Sequence, residues 1–123
     1  MNKILLIGSG GAIGSILRYL IYLLCSRWQW QFPMATLLVN IIGSFFIAIC
    51  YVWIAESMDP YSQHLKALLM VGVLGGFTTF SSFSLESIML IMQQRYWLAI
   101  IYIAASLIIC LSVTAATLTF FRN

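Results

Sequence analysis

Charge is the scarcest commodity in this sequence: three acidic and six basic side chains stand among 123 residues, 7% in all. An ordinary soluble domain carries about 25%. With 63% apolar residues, so short a chain cannot hide its apolar surface from water, because small domains bury only part of what they expose when unfolded. Lipid is the solvent that remains. The six cations stand singly, without a polybasic cluster, so nucleic-acid binding has no electrostatic footprint. Thiols and imidazole are equally thin. Cys25, Cys50 and Cys110 are odd in number and far apart, without a C-x-x-C pair, and His64 is the lone histidine. They suit neither a zinc site nor a disulfide framework, and they read as structural filler. No Ser-His-Asp or His-metal constellation is present, so the chain is not expected to be an enzyme. Gly8-Ser9-Gly10-Gly11-Ala12-Ile13-Gly14 imitates a nucleotide-binding loop, but it lies in an apolar run without the βαβ context that loop requires.

What the sequence does have is long apolar stretches. A membrane-spanning helix needs about 20 mostly apolar residues. Ile4–Cys25, Met34–Ala55, Leu65–Met92 and Trp97–Phe121 qualify. Polarity is sustained only between them, over Ser26–Pro33, Glu56–His64 and Gln93–Tyr96. Trp28, Trp30, Tyr61, Tyr96 and Trp97 gather at these joints, where interfacial aromatic belts form. The start of the chain superficially suggests a signal peptide, but Arg18 stands where a cleavable segment needs small residues and a break. The expected fold is an all-α integral membrane protein, residues 1–123 forming one domain of four transmembrane helices. With four spans both termini share a side, which carries Lys3, Lys66 and Arg122; Arg27 and Arg95 lie opposite, with Arg18 on that half of the first span. Orientation is set by an excess of Lys and Arg on the cytoplasmic side. Here the two sides balance, so insertion both ways up and an antiparallel two-fold dimer are expected.

The third span is unusual. Gly72, Gly75, Gly76, Thr78 and Thr79 sit near its middle. Gly lowers helix propensity, and hydroxyls can satisfy backbone groups freed by a break. An interrupted helix at membrane depth must be covered by protein or line a water-filled cavity, where it can offer its backbone to an ion. The same glycines equally suit a packing seam, Gly72 and Gly76 being a small-xxx-small pair. Spacing leaves the two readings level.

Intramembrane ionisable groups are costly and invite functional hypotheses. There are two. Arg18 shares a face of the first helix with Gly11, Gly14 and Ser15; that face should point at protein, the guanidinium clamping carbonyls or a hydroxyl, or touching an ion. Glu86 shares a face with Thr79, Ser82 and Phe83, as a proton carrier, a partner for Arg18 or a hydrated vestibule residue. Asn40 is the one amide in the second span, with Thr36, Gly43 and Ser44 on its face. Its NH2 suits an anion or interhelical bonding. Phe80 and Phe83, three residues apart, lie along one face, with Ser81 and Ser84 beside them. Ring edges are positive and can meet an anion, and hydroxyls supply the hydrogen bonds a desolvated anion needs. Plain filling of space between helices is the alternative.

Three motifs together resemble the CrcB/Fluc fluoride channels: Gly10-Gly11-Ala12-Ile13-Gly14-Ser15-Ile16-Leu17-Arg18-Tyr19, Thr36-Leu37-Leu38-Val39-Asn40-Ile41-Ile42-Gly43-Ser44-Phe45, and Gly72-x-x-Gly75-Gly76-Phe77-Thr78-Thr79-Phe80-Ser81-Ser82-Phe83-Ser84-x-Glu86. The resemblance runs over essentially the whole chain, in order; the fourth span carries the weakest signature. It implies an antiparallel homodimer in a bacterial inner membrane, with two fluoride pores along the dimer interface. It also implies a structural sodium ion at the dimer centre, held by the backbone carbonyls of Gly75 and Thr78, oxygen ligation of the kind a hard cation prefers. Phe80, Phe83 and Asn40 then line the pores, with a hydroxyl track of Ser81 and Ser82 joined by Tyr102 and Ser106. Ala35 stands where many relatives have Gly. The resemblance selects the broken helix over the glycine seam, and implies passive release of fluoride stranded inside a cell after hydrogen fluoride enters and dissociates.

Two other classes compete. A dual-topology multidrug antiporter needs an intramembrane carboxylate in its first helix, where this chain has Arg18. A non-transporting assembly subunit would share the glycine seams and carry no ion flux.

Overall fold

A computed structural model describes residues 2–28 and 31–122, with Ala55 described by its backbone alone. Trp30 of the expected aromatic belt lies outside the described residues. Helix α1 (Lys3–Ser26) opens on Asn2, whose Oδ1 accepts the Ile4 N–H at 2.8 Å, satisfying one of the donors every helix start leaves free. Helix α2 (Met34–Cys50) runs into a wider, π-helical turn, Tyr51–Ala55. The third span is assembled from α3 (Pro60–Leu65), a π-helical stretch (Lys66–Leu74), α4 (Gly75–Phe77) and α5 (Phe80–Met92). Helix α6 (Tyr96–Arg122) completes the chain. Among the described residues, four segments are long and apolar enough to cross a membrane: Lys3–Ser26, Met34–Ile54, Pro60–Met92 and Tyr96–Arg122.

The spans begin and end within two residues of those expected from the apolar runs, with one exception. The polar joint expected over Glu56–His64 is shorter, because the third span starts at Pro60. Proline at the first helical position has its φ preset and gives up an N–H that would be unpaired there anyway. Ser62, Gln63 and His64 continue the helix, Gln63 Nε2 donating back to the Ser57 carbonyl at 3.0 Å. Between α5 and α6 the chain reverses through Gln94, whose φ is 61°. The Gln94 N–H donates to the Ile91 carbonyl and the Arg95 N–H to that of Leu90, both at 2.9 Å, the double closure of a Schellman C-cap.

The third span is bent at its middle, and the bend lies at two threonines. Thr78 (φ −86°, ψ 160°) and Thr79 (φ −152°, ψ 118°) are extended, while Gly72, Gly75 and Gly76 remain in helical backbone. Gly72 and Gly76 also form the packing seam that sequence reasoning set aside, against Gly10 and Gly11 of α1. A Cβ at Gly14 of α1 would fall 2.0 Å from the Val73 carbonyl oxygen and 2.9 Å from the Phe77 nitrogen, so α1 lies backbone-to-backbone against the third span. Small residues allow such approach where hydrophobic driving force is absent. Broken helix and glycine seam therefore coexist: glycines fasten the first half of the span to α1, and threonines interrupt it just beyond.

On the other side α2 packs along α6, and α5 also leans on α6. Leu37, Leu90, Ala99 and Tyr102 form the buried cluster there, flanked by Phe32, Ile41 and Phe83. Far from it, Arg122 pairs with Glu56 at 3.3 Å in exposed surroundings, and Trp53 meets Phe121 edge to face at 5.9 Å.

Candidate ion pathway at the bend

The bend exists because its backbone groups have been given other partners. In a continuous helix the Thr79 N–H would serve the Gly75 carbonyl; here it donates to Asn40 Oδ1 at 2.9 Å. Asn40 Nδ2 in turn donates to the Thr79 carbonyl at 3.1 Å. One amide side chain thus grips both polar groups of one residue across the span–span contact. Likewise the Ser82 N–H, which a helix would direct to the Thr78 carbonyl, donates to Thr79 Oγ1 at 3.1 Å, making Thr79 the N-cap of α5. The helical donors of the Gly75 and Thr78 carbonyls are both diverted. Thr78 Oγ1 donates to the Leu74 carbonyl at 3.0 Å, and Gly43 of α2 leaves room for the Thr78 methyl, which a Cβ would meet at 2.0 Å.

An open groove of about 360 Å³ runs past this point. Asn40, Gly75, Thr78, Phe80, Phe83 and Ser106, all anticipated, line it, together with Thr79, Ser44, Met70 and Cys110. Ser106 is 6% exposed, and its Oγ has no hydrogen-bond partner among the described residues. Phe80 is the opposite, 74% exposed. Its ring centroid lies 5.5 Å from that of Phe83, which lies 5.3 Å from Tyr102. Tyr102 is fully buried, and its O–H donates to Glu86 Oε1 at 2.9 Å. Phe32 caps this row edge to face on Tyr102, 5.4 Å away.

Not every anticipated residue converges here. Ser81 is exposed and, among the described residues, its hydroxyl reaches only Thr79 Oγ1, at 3.3 Å. Ser82 lines a second hollow of about 210 Å³ with Ser15, Arg18, Tyr19 and Tyr22. Arg18 has neither a hydrogen bond nor an ion pair among the described residues, so the expected clamp on carbonyls is not made. Its alternative partner, Glu86, forms no ion pair with it among those residues and accepts from Tyr102 instead. Gly10 and Gly14 point at protein while Ser15 is exposed, so the buried face of α1 is turned slightly from the one expected, toward the seam.

Phe32, Met70 and Cys110 were missed. Cys110 stands four residues after Ser106, a spacing that puts two helical residues on one face; that signal was available. Phe32 lies in the loop before α2, where periodicity carries no information.

The model of the CrcB-like (camphor resistance) proteins matches residues 5–118. The chain belongs to the CrcB family. Among curated CrcB relatives, a protein of Caulobacter vibrioides (strain NA1000 / CB15N) named fluoride-specific ion channel FluC is 41% identical over 124 residues, covering 100% of this chain and 98% of the relative. The protein of that name from Agrobacterium fabrum is 42% identical with the same coverage. That from Rhizobium meliloti is 46% identical over 107 residues, 86% of this chain and 85% of its own. CrcB membership agrees with the three motifs: each carries residues that meet at the bend or the seam.

Proposed function

We propose that this CrcB protein is a fluoride channel rather than an enzyme, a passive pore that releases fluoride from the cell. The observation that carries this reading is the groove at the bend, lined both by an exposed aromatic ring, Phe80, and by a buried hydroxyl, Ser106, that has no partner among the described residues. Positive ring edges and hydroxyl donors offer a small, strongly hydrated anion replacement for its water without a full cation, which would bind too tightly to release it. The relatives named as fluoride-specific channels supply the identity of the ion.

The working unit in this reading is an antiparallel homodimer in the bacterial inner membrane. Gly75 and Phe80 lie exposed along the groove, which supports a second copy as its missing wall, and the balanced charges allow both orientations. A structural sodium ion fits the carbonyls of Gly75 and Thr78. Diversion of the Thr79 and Ser82 N–H groups to side-chain acceptors leaves both oxygens without their usual helical donors, and hard cations prefer such oxygen ligands. The groups that would transfer fluoride are Phe80, Phe83, Asn40 (through its second amide proton) and Ser106, with Ser81, Ser82 and Tyr102 continuing the polar route; Arg18 and Glu86 would serve as structural or vestibule residues. Fluoride moves down its electrochemical gradient, with neither ATP nor proton coupling.

Fluoride-electrode recording from liposomes holding the purified protein tests the channel: rapid fluoride release with little chloride release is expected. Well-folded protein that releases neither would end the proposal. Dual insertion is tested separately, by labelling single cysteines placed near the termini from each face of the cell membrane. Labelling from one face alone would rule it out.

A further inference from the structure

Cys110 stands one helical turn beyond Ser106 on α6, and both line the groove beside Asn40, Thr78 and Phe80. Its thiol is free and half-buried. Cys25 and Cys50 are free too, but neither borders the groove. Ser106 supplies the independent sign that something polar occupies this stretch, because its buried hydroxyl, 6% exposed, is without a partner among the described residues. A passage that hydrates Ser106 also hydrates the thiol next along the face. Only the thiolate is nucleophilic, and ionisation needs water or a polar neighbour. A cysteine facing lipid stays protonated and inert.

We propose that Cys110 is a modification site within the conduit, where small sulfenyl-transferring electrophiles attach and close it. The proposal rests on the channel reading given above. With a methanethiosulfonate the chemistry is a thiol–disulfide type exchange. The Cys110 thiol gives its proton to water, and the thiolate attacks the sulfenyl sulfur. A new S–S bond forms to Cys110 as the reagent's S–S bond breaks, and methanesulfinate leaves with the electron pair. The attached methylthio group then occupies the groove that Ser106 and Phe80 also line, replacing a hydrated surface with an apolar plug.

Fluoride efflux is recorded from liposomes before and after methyl methanethiosulfonate, and the sites of addition are read by peptide mass. Three proteins are compared: wild type, the Cys25→Ser/Cys50→Ser double variant, and Cys110→Ser. Wild type and the double variant should each lose at least roughly tenfold in efflux rate with one methylthio group on Cys110, and dithiothreitol should restore it; the before-to-after ratio for Cys110→Ser should stay near one. The double variant keeps the test informative if Cys110→Ser fails to fold. Complete addition at Cys110 without slower efflux overturns the inference, as does an unmodified Cys110 in a conducting protein or equal block of Cys110→Ser. A protein that conducts nothing before the reagent is added overturns the channel reading itself.

Discussion

Replacing Asn40 by leucine separates the two things that residue does. Leucine keeps the branch point and the number of side-chain heavy atoms and is somewhat bulkier, so no cavity opens, but the acceptor 2.9 Å from the Thr79 nitrogen and the donor 3.1 Å from its carbonyl both vanish. Thr79 is 7% exposed; as the N-cap of α5 its carbonyl keeps the first helical bond, but its N–H has no helical acceptor to fall back on. An unmet buried donor or acceptor costs about 1–3 kcal/mol. Interhelical hydrogen bonds in a membrane average only about 0.6 kcal/mol, because the unfolded chain also finds partners. Two bonds therefore set a floor of about 1 kcal/mol, and one fully orphaned group raises the total to about 3 kcal/mol. At 1.4 kcal/mol per tenfold, that is roughly a five- to 150-fold shift toward the unfolded state. Equilibrium unfolding in mixed micelles, followed by circular dichroism, measures it directly. Asn40→Ala should lose at least as much, since it adds a cavity. Asn40→Leu within about 0.5 kcal/mol of wild type, well under that floor, would show that volume and not hydrogen bonding holds the bend, and the account of the interrupted helix would fail.

Gly14→Ala should destabilise by about 1–3 kcal/mol through overpacking against the Val73 carbonyl, whereas Gly8→Ala, with nothing within 4 Å of its added methyl, should be neutral or slightly stabilising; equal effects in the same unfolding assay would refute the seam. Tyr102→Phe removes the donor to Glu86 and should cost about 1–2 kcal/mol, checked by unfolding; an unchanged midpoint would make that contact incidental. Phe80→Ile keeps most of the bulk but loses the ring edges, and liposome efflux should fall about two- to twelvefold while size-exclusion shows the assembly intact. Undiminished efflux would take Phe80 out of the pathway.

Much of this molecule was legible before any coordinates. The spans were plain because lipid demands long apolar runs, and an apolar run is a local property. The meeting of Asn40, Phe80 and Ser106 was reached only through the family resemblance, since residues on three different spans share no periodicity. Two judgements went astray. Glycine was treated as the breaker, although in helical backbone it serves mainly as a place of close approach. The threonines break the span because their extended backbone is held by Asn40 and by the Thr79 cap, a tertiary effect invisible to propensity. Arg18 was expected to clamp carbonyls or a hydroxyl, or to touch an ion; among the described residues no such clamp is made, and the guanidinium borders a hollow with Tyr19, Tyr22 and Ser82.

The Asn40 grip holds Thr79 by its main chain, which every amino acid except proline can offer in the same way. Position 40 must accordingly remain an amide of one length, while the side chain at 79 answers only for the start of α5, a duty that Ser or Asp could also discharge. Drift over time should therefore freeze one end of this contact and leave the other room to wander, an asymmetry invisible in the contact itself.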